Sequence, residues 1–120
     1  MWQGVDKRRF PRAEYPCEVI LIKKGENKKL STHTENIGTG GVCVILKKGM
    51  GRFYFVELTI YLKDGQPPIK CDGRVVWAIK SREQFDTGIE FINIKEKDVR
   101  RIEKVVEECL KTNHNSLDNQ

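Results

Sequence analysis

The sequence predicts a mainly-β chain closed by one helix, with six short strands able to form a small barrel or a sandwich. Three observations carry this. The apolar residues before Asn93 fall in runs of six to eleven residues that are β-branched or alternate with polar ones. Breaks rich in glycine and proline separate these runs. Beyond Asn93 the apolar period changes from that of a strand to that of a helix.

The elements follow in order. "CEVILIK" from Cys17 is apolar and β-branched, and it runs into "KKGENKK", where Gly25 and Asn27 supply turn chemistry. "KLSTHTEN" reads as a polar strand and "GVCVIL" (41–46) as a short apolar one, followed by a break at "GMG". "YFVELTIYL" (54–62) sets Val56, Leu58, Ile60 and Leu62 against Phe55, Glu57, Thr59 and Tyr61. The aromatics Phe53, Tyr54, Phe55 and Tyr61 are expected to follow a core-like pattern. "KDGQPP" is a turn. "IKCDGRVVWAI" and "FDTGIEFINI" are the last two strands, each with a glycine that marks a bulge or a close backbone approach.

Asn93 is the expected N-cap of the helix, with Glu96 completing a capping box. Val99, Ile102, Val105, Val106, Cys109 and Leu110 make one stripe that must dock on the sheet, whereas Lys95 to Arg101 read as a solvated, mixed-charge face. Residues 1–13 are expected to be a flexible basic arm, 14–111 the folded domain, and 112–120 a disordered polar tail.

At 120 residues with 32% charged side chains, the chain is expected to be one globular domain. It has no apolar run of the roughly 20 residues that span a bilayer, and its charged start is followed by no apolar leader, so the expectation is a cytoplasmic protein without membrane insertion. Cys17, Cys43, Cys71 and Cys109 form no CxxC pair and read as buried thiols, and neither His33 nor His114 has a nucleophile beside it in sequence. With no acid/base pair or nucleophile constellation, an enzyme is not expected, nor a metal or other cofactor. The net charge of +5 favours an anionic partner.

Two stretches are specific. "DKRRFPR" (6–12) concentrates Lys7, Arg8, Arg9 and Arg12 around Pro11. "TENIGTGGVCV" places Gly38, Gly40 and Gly41 between two strands, either as a turn needing left-handed backbone or as bare backbone for a close ligand. It matches neither a Walker A loop nor a dinucleotide fingerprint. Arg8-x-x-x-Arg12 followed, 24 residues after Arg12, by Asn36-x-Gly38-x-x-Gly41 resembles the PilZ domain family, whose signature is RxxxR and then (D/N)xSxxG on a six-stranded β-barrel with a C-terminal helix.

That resemblance implies a six-stranded antiparallel barrel and a receptor for cyclic di-GMP. Arg8 and Arg12 would be the ligand-gripping arginines and Arg9 an auxiliary contact. Asn36 and Gly41 would be the ends of the second motif, and Gly38 stands where the family has its serine. A guanidinium fork matches the O6/N7 edge of guanine and pairs with phosphate, and the Asn36 amide can donate and accept. Trp77 is either a core aromatic or a ring flanking a guanine. The arm would rearrange on binding and relay the signal to a protein effector. An adaptor that binds no nucleotide is the main alternative. A nucleic-acid-binding barrel is a further one, disfavoured because the aromatics look core-like with no basic stripe beside them, so neither DNA nor RNA is expected as a partner.

Overall fold

The alternation read from the sequence becomes burial in the folded chain. Val56, Leu58 and Ile60 are buried, and each faces a buried neighbour on an adjoining strand. The structure, a computed structural model, describes residues 12–118. Its elements are β1 (Arg12–Ala13), β2 (Glu18–Lys23), β3 (Lys29–Gly38), β4 (Gly41–Leu46), β5 (Phe55–Ile60), β6 (Ile69–Ser81), β7 (Gln84–Phe91) and α1 (Glu96–Asp118).

Strands β2 to β7 form a closed six-stranded antiparallel barrel in the order β3-β2-β5-β6-β7-β4, completed by β3–β4 pairing. The two-residue β1 extends β2 along β3: from Ala13↔Ile37 to Glu18↔His33 the chain takes five steps against four on β3. Thr34 stitches this interruption. Its hydroxyl accepts from the Cys17 N–H at 3.1 Å and donates to the Tyr15 carbonyl, and its own N–H donates to the Cys17 carbonyl. The core joins Val19, Leu21, Ile37, Val42, Val44, Val75 and Ile89 to Ile102 and Val106 of α1, which packs against β1 and β3.

Because every pairing is antiparallel, the β2–β3, β4–β5 and β6–β7 connections gather at one end of the barrel. The β3–β4 turn, the β5–β6 loop and the passage into α1 lie at the other.

Several expectations change. Arg12 and Ala13 belong to the sheet, not the arm, because Ala13 is 3% exposed and hydrogen-bonding partners are available on β3. The aromatics Phe53, Tyr54, Phe55 and Tyr61 are exposed at 56, 44, 49 and 37%: the first two sit in the β4–β5 loop, and the others share the outward parity of Glu57. Asn93 is not the helix cap. Its amide donates to Asp72 at 3.1 Å, while the Lys95 carbonyl takes the first helical bond, from Val99. The helix continues to Asp118 through the polar stretch assigned to a tail, which holds no glycine or proline to stop it. Arg101 leaves the solvated face, with its side chain only 20% exposed between Asp64 and Asp98.

Candidate ligand site on the outer barrel face

Strand pairing draws Asn36 of β3, Cys43 of β4, Gly88 of β7 and Trp77 of β6 into one row across four strands. Residues directly opposite one another share a face of the sheet. Ile37, Val42, Val44 and Ile89, of the other parity, are buried in the core, so this row lies on the outer face.

Arg12 reaches the row from β1. Its strand partner is Gly38, and its Nε donates to Asn36 Oδ1 at 2.6 Å. An arginine of the first motif and the asparagine of the second therefore meet although 24 residues separate them. Partial burial lowers the Arg12 pKa from its ordinary value, and the neighbouring Cys43 thiol opposes that shift. The guanidinium stays charged at neutral pH and is less hydrated than a surface arginine, which strengthens its attraction to an anion.

Cys43 is 3% exposed yet stands outside the core cluster, at the centre of the row. Burial, with Glu35 and Asp86 nearby, pushes its thiol up to about 12. It is thus neutral at physiological pH and forms an unreactive floor, directed at Glu35 Oε1 at 3.9 Å. Trp77 follows a register shift between Val75 and Trp77, and the bulge turns its side chain outward. Its indole covers Gly88 so closely that a Cβ there would lie 2.2 Å from Cε2. Trp77 is partly exposed and is not a core residue; its Nε1 is buried without a hydrogen-bond partner among the described residues.

The glycines of the second motif divide by role. A Cβ on Gly41 would fall 2.2 Å from the Ile89 carbonyl oxygen, so glycine is needed there for β4 to pair with β7. Among the described residues the left-handed glycines are Gly25 and Gly65, so neither Gly38, Gly40 nor Gly41 serves a left-handed turn. Arg8 and Arg9 lie outside the described residues.

The structure adds groups that the sequence reading did not assign. Cys43 is one, and its parity, opposite to Val42 and Val44, was the available signal. Arg74 and Glu90 form the next row, between Gly41 and Phe55, with Arg74 Nη2 and Glu90 Oε1 at 2.5 Å. Nothing in the linear order brings those two together.

The PilZ domain profile matches residues 6–108. No curated protein matches the chain. Among solved structures, the chain is similar to the Bacillus subtilis inhibitor of motility MotI/DgrA, at 19% identity and a TM-score of 0.72 over 90% of this chain and 52% of that one. It is similar to the PilZ domain of Escherichia coli YcgR with c-di-GMP, at 14% identity and a TM-score of 0.68 over 95% of this chain and 99% of that domain. It is also similar to MrkH of K. pneumonia in complex with c-di-GMP, at 17% identity and a TM-score of 0.74 over 91% and 54%. The chain thus spans about half the length of MotI/DgrA and MrkH and all but 1% of the isolated YcgR domain.

Proposed function

The chain belongs to the PilZ domain family, and we propose that it is a receptor for cyclic di-GMP, held on the outer barrel face beside Arg12 and Asn36. The observation that carries this reading is the 2.6 Å hydrogen bond that brings the two motifs to one place. Cyclic di-GMP presents two phosphates and two guanines. The Arg12 guanidinium suits either a phosphate or the O6/N7 edge of guanine. Asn36 engages Arg12 through Oδ1, which leaves its amide nitrogen to donate to a base. Trp77, along the same row, offers an indole to flank a purine. Arg8 and Arg9 would complete the grip from the arm.

The signal would leave through β1. Helix α1 packs on β1, and the Cys109 thiol donates to the Glu14 carbonyl at 3.3 Å, so a change at Arg12 is felt two residues away by the helix. We assign the readout of that change to a protein partner. Structural neighbours include an inhibitor of motility and a transcription regulatory factor, so the fold does not select the output.

Gly38 favours a second reading, an adaptor that binds no nucleotide, because the family's serine hydroxyl is missing there. Isothermal titration of the full chain with cyclic di-GMP, cyclic di-AMP and GTP separates the two. The receptor reading expects the first to bind tightest, since adenine presents a donor where guanine presents O6. Equal affinity for the two cyclic dinucleotides would remove the arginine role, and no heat from any ligand would leave the adaptor.

A further inference from the structure

We infer that the barrel end carrying the β2–β3, β4–β5 and β6–β7 connections docks peripherally on an anionic lipid surface. This end gathers cations. Lys28 comes from the first connection and Lys29 opens β3 beside it, Lys47, Lys48 and Arg52 come from the second, and Arg82 lies in the third with Lys80 near the end of β6. None of them has an acid within ion-pair distance among the described residues. The acids within the same connections are Glu26 and Glu83, and Glu26 pairs with Lys23.

Apolar surface sits beside this charge. Phe53, Tyr54 and Phe55 are consecutive and all near half exposed, and Ile79 is 59% exposed next to Lys80. Phe53 is held in left-handed backbone, with φ 69°, which a bulky residue ordinarily avoids. Its N–H donates to the Val75 carbonyl at 2.6 Å, and the Val75 N–H donates to the Tyr54 carbonyl at 2.9 Å. The loop thus fixes an exposed ring in a strained conformation, an arrangement that barrel packing does not require.

Rings at the waterline between cations suit a headgroup layer, where aromatic side chains settle and basic ones meet anionic lipid. A flat anionic surface meets three separate connections at once. A cavity of about 800 Å3 between the first two, lined in part by Lys23, Lys28, Lys47 and Lys48, has room for a headgroup. The ring faces argue against stacked bases. Lys23 Nζ lies 3.7 Å from the Tyr54 centroid, and the Arg52 and Arg74 guanidinium carbons lie 5.2 and 5.7 Å from that of Phe53.

Co-sedimentation of the full chain with phosphatidylcholine vesicles, with and without equimolar phosphatidylglycerol, tests this. The chain should sediment with the anionic vesicles alone. Lys47→Glu/Lys48→Glu should weaken that binding by well over tenfold, at about fivefold for each cation removed and more for reversal. Phe53→Ser/Phe55→Ser should weaken it by at least about tenfold, with melting curves confirming that the variants fold. Lys63→Glu/Lys97→Glu makes the same charge change at the opposite end and should have little effect. The inference is overturned by an absence of binding to anionic vesicles, by an equal loss in the opposite-end variant, or by binding that ignores the two rings. It is also overturned if vesicles are ignored while polyglutamate or single-stranded DNA binds through these residues, which would assign the surface to a protein or a nucleic acid.

Discussion

Arg12 and Asn36 are joined by a charge-assisted hydrogen bond of 2.6 Å, and Arg12 is at the same time a strand residue paired with Gly38. The side chain we propose for the ligand grip is therefore also part of the free fold. Arg12→Ala should cost roughly 1–3 kcal/mol of stability without ligand, because it removes a bond to a charged group at a half-buried position. It should also weaken cyclic di-GMP binding by roughly 1–3 kcal/mol. Asn36→Ala should reproduce much of the stability loss, and the double variant should lose less than the sum of the two. Denaturant melts with titration calorimetry on all three variants check this; additive stability losses would show the bond to be energetically idle.

Gly38 is the position at which the chain departs from its family's motif. It pairs with Arg12, shares the outward parity of Asn36, and does not adopt left-handed backbone. Serine can therefore take its place without backbone strain. Gly38→Ser should leave the ligand-free melt unchanged and tighten cyclic di-GMP binding by up to about tenfold, the worth of one neutral hydrogen bond. Unchanged melting with unchanged or weaker binding would show that the serine role does not transfer to this site.

Sequence reading recovered the strands because their alternation is local: Val56, Leu58 and Ile60 announce an inward face wherever the strand lies. It named Arg12 and Asn36 only through resemblance and did not foresee their contact, since no local pattern pairs residues 24 positions apart. It misread Phe53, Tyr54 and Phe55 because aromatic character implies burial on average, whereas backbone bonds from Phe53 and Tyr54 to Val75, which belong to the tertiary structure, fix the loop at the mouth of β5. That error also removes the premise used against an aromatic binding surface, although the rings prove to be flanked by their own cations. Asn93 failed as a cap for a similar reason. Asp72, on β6, took its side chain.

Trp77 and Gly88 form a matched pair across β6 and β7, with no room for a Cβ beneath the indole. Gly88→Ala should displace the ring and cost roughly 1–3 kcal/mol, as overpacking typically does. Combining it with Trp77→Ala should recover most of that loss, because the obstructing ring is gone. If Trp77 flanks a guanine, Gly88→Ala should also weaken cyclic di-GMP binding while preserving the Arg12–Asn36 contact. Melts of the single and double variants, with calorimetry on Gly88→Ala, separate a packing role from a binding one. Full stability in Gly88→Ala would mean that the indole is not fixed on this site.

Arg101 fastens helix α1 to the β5–β6 loop at the far side of the domain. Its Nε and Nη2 donate to the two oxygens of Asp64 at 2.9 and 3.0 Å, Nη2 also donates to the Pro67 carbonyl at 2.8 Å, and Nη1 reaches Asp98 at 3.2 Å. The Arg101 guanidinium holds the Asp64 carboxyl below its ordinary 3.8, assisted by the Gln66 N–H. A carboxyl whose folded pKa is depressed adds stability that is complete above its unfolded value and is lost as pH falls through its folded one. The Asp64 contribution should therefore be whole at neutral pH, begin to decline below about 3.8, and disappear in stronger acid. Asp64→Asn should destabilise the protein at pH 7 by about 1–2 kcal/mol, the worth of a charged hydrogen bond at a mostly covered site. The difference from wild type should shrink as the pH drops through that window. Melting both proteins across an acid series measures the difference directly, and a gap that stays constant with pH would show that the ion pair does not fasten the helix.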